Sequence, residues 1–152
     1  MPDIAIRPVR RDDHSGWKAL WDGYNAFYGR AGPKALPDAI TARTWEWFFD
    51  PAEPVFSLVA ESDGRVVGLA NYLFHRSTSR PTDVCYLQDL FTAGDQRGRG
   101  IGRRLIEGVL GSARAAGCCR VYWQTHAQNV AARALYDRLA EHLGFIVYAH
   151  DL

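Results

Sequence analysis

Arg97-Gly98-Arg99-Gly100-Ile101-Gly102-Arg103 combines uncovered backbone amides with positive side chains. Glycine permits positive φ and leaves its N–H groups accessible, and a helix that follows adds the positive end of its macrodipole. Successive N–H groups in such a turn form a concavity for an anion, with phosphate the fitting ligand. A second group lies further on. Asn129, Ala132 and Tyr136 are spaced so that an amide, a small residue and a phenol share one side of a helix facing a common cleft.

Other phosphate-handling loops are excluded by residue type. The dinucleotide pattern Gly-x-Gly-x-x-Gly fails because Arg103 stands where its third glycine belongs, and no βαβ unit opens the chain. A Walker A loop fails because no Lys-Ser or Lys-Thr follows the glycines, and a phosphotransferase would also need a magnesium site that is not evident. No metal is expected: Cys85, Cys118 and Cys119 lack ligand spacing and read as buried small hydrophobes. None has a base beside it in sequence, which argues against covalent transfer through cysteine.

The elements that must position these residues follow from periodicity. Ile101, Leu105, Ile106, Val109, Leu110 and Ala113 recur at helical spacing after the glycine turn, with Gly117 as a stop. Val84 to Phe91, rich in aromatic and aliphatic residues, is a buried strand before it. Towards the N-terminus, Ile4 to Val9 reads as a strand, and Asp12 or Asp13 caps a helix whose face carries Trp17, Leu20, Trp21, Tyr24, Phe27 and Tyr28. After the break at Gly29 to Pro37, a second helix begins at Asp38 and stops at Asp50-Pro51. Phe56 to Glu61 and Val66 to Phe74 flank Ser62-Asp63-Gly64-Arg65 as a hairpin. Arg120 to Thr125 is a further strand, Val130 to Leu143 a last helix, and Phe145 to His150 a final strand.

The order β, α, α, β, β, β, α, β, α, β predicts a single α/β (α+β) domain over residues 1–152, with a central mixed sheet covered by helices on both faces. The size and the 47% hydrophobic content suit one core. A net charge of +1 gives no sign of a nucleic-acid surface, no apolar run is long enough to span a membrane, and no signal-peptide pattern is present. A cytoplasmic protein is expected.

Arg-x-x-Gly-x-Gly at Arg97–Gly102, followed by Asn-x-x-Ala-x-x-x-Tyr at Asn129–Tyr136 and Gly144-Phe145, resembles the paired motifs of the GNAT superfamily of acetyl-CoA-dependent N-acetyltransferases. The order of elements agrees from Ile4 to Phe145. The aromatic first helix, Tyr86-Leu87-Gln88-Asp89-Leu90-Phe91, Val121-Tyr122-Trp123 and Ala134-Leu135-Tyr136 look most like the fungal histone and polyamine acetyltransferase branch.

The resemblance implies a GNAT-like acyl-CoA N-acyltransferase fold and acetyl-CoA as co-substrate. Leu90, Phe91 and Thr92 would pair with the pantetheine arm through their backbone. Arg97, Gly98, Arg99, Gly100, Ile101, Gly102 and Arg103 would surround the pyrophosphate. Asn129 would bond the pantetheine or acetyl end, Ala132 would leave room for the cofactor, and Tyr136 would stand at the thioester sulfur. There a phenol, which ordinarily titrates near roughly 10, acts as general acid to the departing thiolate.

The resemblance implies a primary amine as acceptor: a small amine, an amino acid or a lysine side chain. Asp89 has two readings, a base or cation holder beside the cofactor arm and a carboxylate bonded to nearby backbone. His126 and His75 carry the same ambiguity, with solvent-facing histidine as the other reading. Gln88 departs from related polyamine enzymes, which have a glutamate there. Gly144 also comes eight residues after Tyr136 where the family has four, which implies one extra helical turn. A homodimer that completes the sheet edge is expected. The alternative is a non-catalytic module that keeps the acyl-CoA site as a sensor.

Overall fold

The computed structural model describes residues 2–152. Five strands form one sheet in the order β1-β2-β3-β4-β5: β1 Ile4–Pro8, β2 Val55–Ser62, β3 Arg65–His75, β4 Val84–Thr92 and β5 Val121–Tyr122. The first three pairings are antiparallel and β4 with β5 is parallel, so the sheet is mixed as expected. Between β2 and β3 only Asp63 and Gly64 intervene, with φ of 54° and 72°. Two central residues at positive φ suit the right-handed twist of a tight hairpin, and Asp-Gly is the pair that tolerates it.

Side-chain alternation divides the sheet between two cores. On one face Leu58, Ala60, Ala70, Tyr72 and Leu87 pack with α3, Ile101–Ala115, whose Ile101, Leu105, Ile106, Val109 and Ala113 point inward. Leu135, Tyr136 and Leu139 of α4, Val130–Leu139, join them. On the other face Val59, Leu69 and Ala93 meet Trp17, Leu20, Trp21 and Tyr24 of α1, His14–Phe27, and Trp45 of α2, Asp38–Trp47. Trp17 is the hub, stacked on Trp21 at 5.4 Å and tilted against Trp45 at 5.1 Å.

Asp13 does not cap α1 with its side chain. Its carboxylate instead accepts the Arg10 N–H at 2.7 Å, closing the 3₁₀ turn Arg11–Asp13, and takes both guanidinium arms of Arg7 at 2.7 and 2.9 Å. Arg7 also bonds Glu61 on β2, so one side chain ties β1, the turn and β2 together.

The C-terminal part departs from expectation. The last helix ends at Leu139, where Ala140 is extended, so the extra turn implied by the spacing to Gly144 is not formed. Residues 140–152 carry no regular structure, and the strand expected at Phe145 to His150 is absent among the described residues. That segment finds no ladder partner, because β5, expected over Arg120 to Thr125, pairs only at Val121 and Tyr122. The cysteines are not uniformly buried either: Cys85 is buried, Cys118 partly so, and Cys119 is exposed at the end of the turn after α3. Among the described residues no helix is long and apolar enough to cross a membrane.

Candidate active site

The glycine turn forms the start of α3. Gly98 and Gly100 lie at φ of 79° and 74°, left-handed values that favour glycine, and Gly100 is the N-cap residue. The first bond into the helix runs from the Arg104 N–H to the Gly100 carbonyl, which leaves the N–H groups of Ile101, Gly102 and Arg103 open at the positive end of a long, well-packed helix. The arginines divide. Arg97 lies 5.7 Å from the Phe91 ring, beside the turn. Arg103 pairs with Glu107 at 2.9 Å on the exposed face of α3. Arg99 is committed elsewhere, with bonds to Gln96, to Ser62 at 3.4 Å and to the Pro2 carbonyl at 3.0 Å. Its side chain ties the turn to Ser62 and Pro2, which leaves only its backbone N–H as a donor for the glycine turn to offer.

The sheet opens beside this turn. Cys85 and Tyr86 pair with Val121 and Tyr122, and beyond that point β4 and β5 part company. Leu87 to Thr92 consequently present one unpaired strand edge, while their other edge is bonded to β3. An extended amide-bearing arm laid there finds free backbone donors and acceptors, as an added strand would. Register passes from Asn71 opposite Asp89 to Tyr72 opposite Leu87, so Gln88 is the extra residue of a β-bulge. Its side chain is exposed and lines the neighbouring cleft.

Tyr136, on α4, lies edge-on to Trp123 at 5.6 Å and close to Tyr28, which lines the neighbouring cleft. Leu135 sits 3.7 Å from where a Cβ on Gly102 would stand, which brings the two motif helices side by side. Burial, together with the nearby Tyr28 phenol, pushes the Tyr136 hydroxyl above the usual tyrosine range, so it holds its proton. Asn129 occupies the N-cap of α4: its Oδ1 accepts the Ala132 N–H at 3.4 Å and its Nδ2 donates to Thr125 at 3.2 Å. Asparagine before the first periodic residue is an N-cap signal, and it was available in the sequence.

Asp89 lies in the cleft that adjoins the opening. It is 8% exposed, accepts the Asn71 Nδ2–H at 3.2 Å, and has the Tyr24 phenol against it. Burial raises its carboxyl above the ordinary range, opposed by Tyr24, Asn71 and the Arg30 charge. The cleft around it encloses about 810 Å³ and is walled by α1, α2, β3 and β4, with Tyr24, Tyr28, Trp47, Phe48 and Tyr86 as aromatic lining. His126 is exposed at its rim, 6.0 Å from the Tyr28 ring, and His75 shares a 2.7 Å hydrogen bond with the Tyr122 hydroxyl away from the cleft. Residue types alone did not single out Asn71 or Arg30, since each belongs to the cleft only through the packing of α1 on the sheet.

A parted pair of parallel strands with a glycine turn at a helix start defines an acyl-CoA-dependent acyltransferase. The chain belongs to the acetyltransferase (GNAT) family, whose profile matches residues 17–140. It is 29% identical over 150 residues to a D-amino-acid N-acetyltransferase of Saccharomyces cerevisiae, covering 97% of this chain and 91% of that protein. An uncharacterised N-acetyltransferase of Bacillus subtilis is 28% identical, over 95% of each chain. Among solved structures, the aminoglycoside N-acetyltransferase AAC(6')-Iy in complex with CoA superposes with a TM-score of 0.83 at 19% identity, over 99% of this chain and 96% of that one. The protein is an N-acetyltransferase with acetyl-CoA as its co-substrate. The residues present fit that co-substrate: the open N–H groups at the start of α3 suit its pyrophosphate and the free β4 edge suits its amide-bearing arm.

Proposed function

We propose that the enzyme transfers acetyl directly to a primary amine held in the cleft beside β4, with both substrates bound together. The observation that carries this reading is the cleft itself: the unpaired edge of β4 and the buried Asp89 belong to one short segment, and Tyr136 stands near Tyr28, which lines the same cleft. Leu90, Phe91 and Thr92 offer the backbone edge for pantetheine. Gly98, Gly100, Ile101, Gly102 and Arg103 offer N–H groups to the pyrophosphate, joined by Arg97 and by the backbone of Arg99. Ala132 leaves space, and Asn129 acts by fixing the start of α4.

In the transfer, the amine nitrogen bonds to the acetyl carbon as the carbon–sulfur bond breaks. The departing sulfur takes the Tyr136 hydroxyl proton. The amine loses a proton towards Asp89 directly or through water, and exchange with solvent returns both side chains to their starting states. A backbone N–H at the bulge polarises the carbonyl.

The likeness to a D-amino-acid acetyltransferase supports an amino acid acceptor over the histone and polyamine acceptors suggested by the branch motifs. Gln88 in place of a carboxylate agrees with this. The free cysteines suit a reducing cytoplasm, and the exposed apolar C-terminal segment suits a homodimer. A thiol-release assay with acetyl-CoA and a broad amine panel, including amino acids of both chiralities, polyamines and lysine peptides, tests the reading. Acetylated product confirmed by mass is expected; no turnover with any amine refutes it.

A further inference from the structure

The charged lining of the acceptor cleft is lopsided. Arg30 and Arg43 face it, against the single carboxylate of Asp89. Arg43 is exposed and lies over the Trp47 ring at 4.7 Å. Arg30 is held more firmly. Its Nε donates to Oδ1 of Asn25 at 2.6 Å, its backbone N–H bonds the Asn25 carbonyl at 2.8 Å, and Asn25, itself buried, is tied to the Trp21 carbonyl at 2.9 Å. The guanidinium also lies over the rings of Tyr28 and Tyr24, 5.4 and 5.8 Å from their centres. Among the described residues it pairs with no carboxylate. Anchoring through Nε leaves the two terminal nitrogens as a fixed fork, the geometry that grips a carboxylate with parallel hydrogen bonds.

A second group in the cleft asks for a donor. Asn71 is 4% exposed and spends its Nδ2–H on Asp89, while its Oδ1 is buried with no hydrogen-bond partner. Buried amide oxygens are nearly always bonded, so this one is suited to an incoming N–H. Asn71 and Asp89 thus offer acceptors to an amine at one place, and Arg30 offers donors to an anion in the same cleft.

We infer that the acceptor is a free amino acid, or another amine with a carboxylate near its nitrogen, and that Arg30 is the carboxylate-binding residue that sets this preference. The inference rests on the acetyltransferase reading of the cleft and adds the substrate's second functional group. A polyamine places a further cation against the guanidinium, and a lysine side chain within a peptide has no carboxylate near its amine.

The test pairs amino acids with their own amides, leucine with leucinamide and phenylalanine with phenylalaninamide in both chiralities, beside 2-phenylethylamine and spermidine. Each is assayed with acetyl-CoA for thiol release. The acids are expected to exceed their amides at least about tenfold in kcat/KM, the effect of one lost charge-assisted contact. In Arg30→Gln that ratio should fall towards one, mainly through KM, with Arg30→Lys partway between. Equal rates on acid and amide, or a ratio unchanged in Arg30→Gln, would overturn the inference while leaving acetyl transfer standing. If no amine is acetylated, the transfer reading itself fails. Ligand-detected NMR of the same pairs then decides: selective binding of the acids, weakened in Arg30→Gln, supports carboxylate recognition, and indifference to the carboxylate ends it.

Discussion

Asp89 and Asn71 face each other across the β3–β4 ladder, and the amide of Asn71 donates to the carboxylate of Asp89 at 3.2 Å while its own oxygen stays unpartnered. Burial raises the Asp89 carboxyl, so the folded protein binds its proton more tightly than the unfolded chain does. Stability from this group is therefore present at low pH and declines as pH rises from the ordinary carboxylate value through the raised one. Asp89→Asn removes that burden and supplies an N–H to the Asn71 oxygen. The variant should be more stable than the parent at pH 8 by about 1–2 kcal/mol, with the gap shrinking towards pH 4. The same change should cut kcat by about 10²-fold or more. Thermal melts across pH together with turnover measurements check both halves; a less stable variant at pH 8 would show that the charge is well compensated.

Tyr136 keeps its proton because burial disfavours the phenolate. Tyr136→Phe keeps the ring against Trp123 and removes only the acid. The maximal rate should fall about 10²–10⁴-fold with little change in acetyl-CoA affinity, read by steady-state kinetics and calorimetric titration. An unchanged rate would take Tyr136 out of the chemistry.

The glycine turn also depends on a distant glycine. A Cβ on Gly68 of β3 would stand 2.9 Å from Cγ2 of Ile101 and 3.0 Å from Cδ1 of Leu105. Because Ile101 is the first residue of α3, the helix start must shift to accommodate it. Gly68→Ala should cost about 1–3 kcal/mol and weaken CoA binding. Gly111→Ala, on the exposed face of α3 with nothing within 4 Å, should instead add about 0.5–1 kcal/mol without touching CoA affinity. Denaturant unfolding and CoA titration of the pair separate overpacking from a general intolerance of alanine.

The parts of the fold legible in the sequence are those whose signals are local. The Asp63-Gly64 hairpin, the stripe of α3 and the strand before the glycine turn each carry their own pattern, and each forms where expected. Arg99 looked like a phosphate ligand because charge beside glycine suggests it; only the three-dimensional return of Ser62 and Pro2 to that place shows its side chain occupied. The strand expected at Phe145 to His150 has the right residue types, but strand formation needs an edge, and sequence does not show that β5 is two residues long. The carboxylate-binding fork was hidden for a similar reason. Arg30 follows a Gly29 turn and reads as a loop cation until Asn25 is seen to hold its Nε.

Arg7 links β1 to the turn at Asp13 and to Glu61 on β2. Its guanidinium, through hydrogen bonding first, holds the Asp13 carboxyl below the ordinary range. A depressed folded value gives stability that is fully present above the unfolded carboxylate pKa and lost as pH falls through the folded one. Arg7→Met should cost about 3–5 kcal/mol near neutral pH by leaving a largely buried carboxylate unpaired, and should reduce the loss of stability on acidification. Urea unfolding at pH 7 and pH 3 measures the difference between the two.

Phe145, Ile146, Val147 and Tyr148 are 85%, 74%, 69% and 88% exposed in consecutive positions, and β5 is bonded on one edge only. An exposed apolar run and an open sheet edge suit pairing with a second copy, which would cover both. Val147 also lines the acceptor cleft, so the same pairing would set the cleft's outer wall. A dimer is expected by light scattering on a sizing column at micromolar concentration. Phe145→Ser combined with Tyr148→Ser should shift it to monomer and raise the acceptor KM more than the acetyl-CoA KM. A parent protein that stays monomeric at tens of micromolar would mean that this segment is covered by its own chain or remains bare.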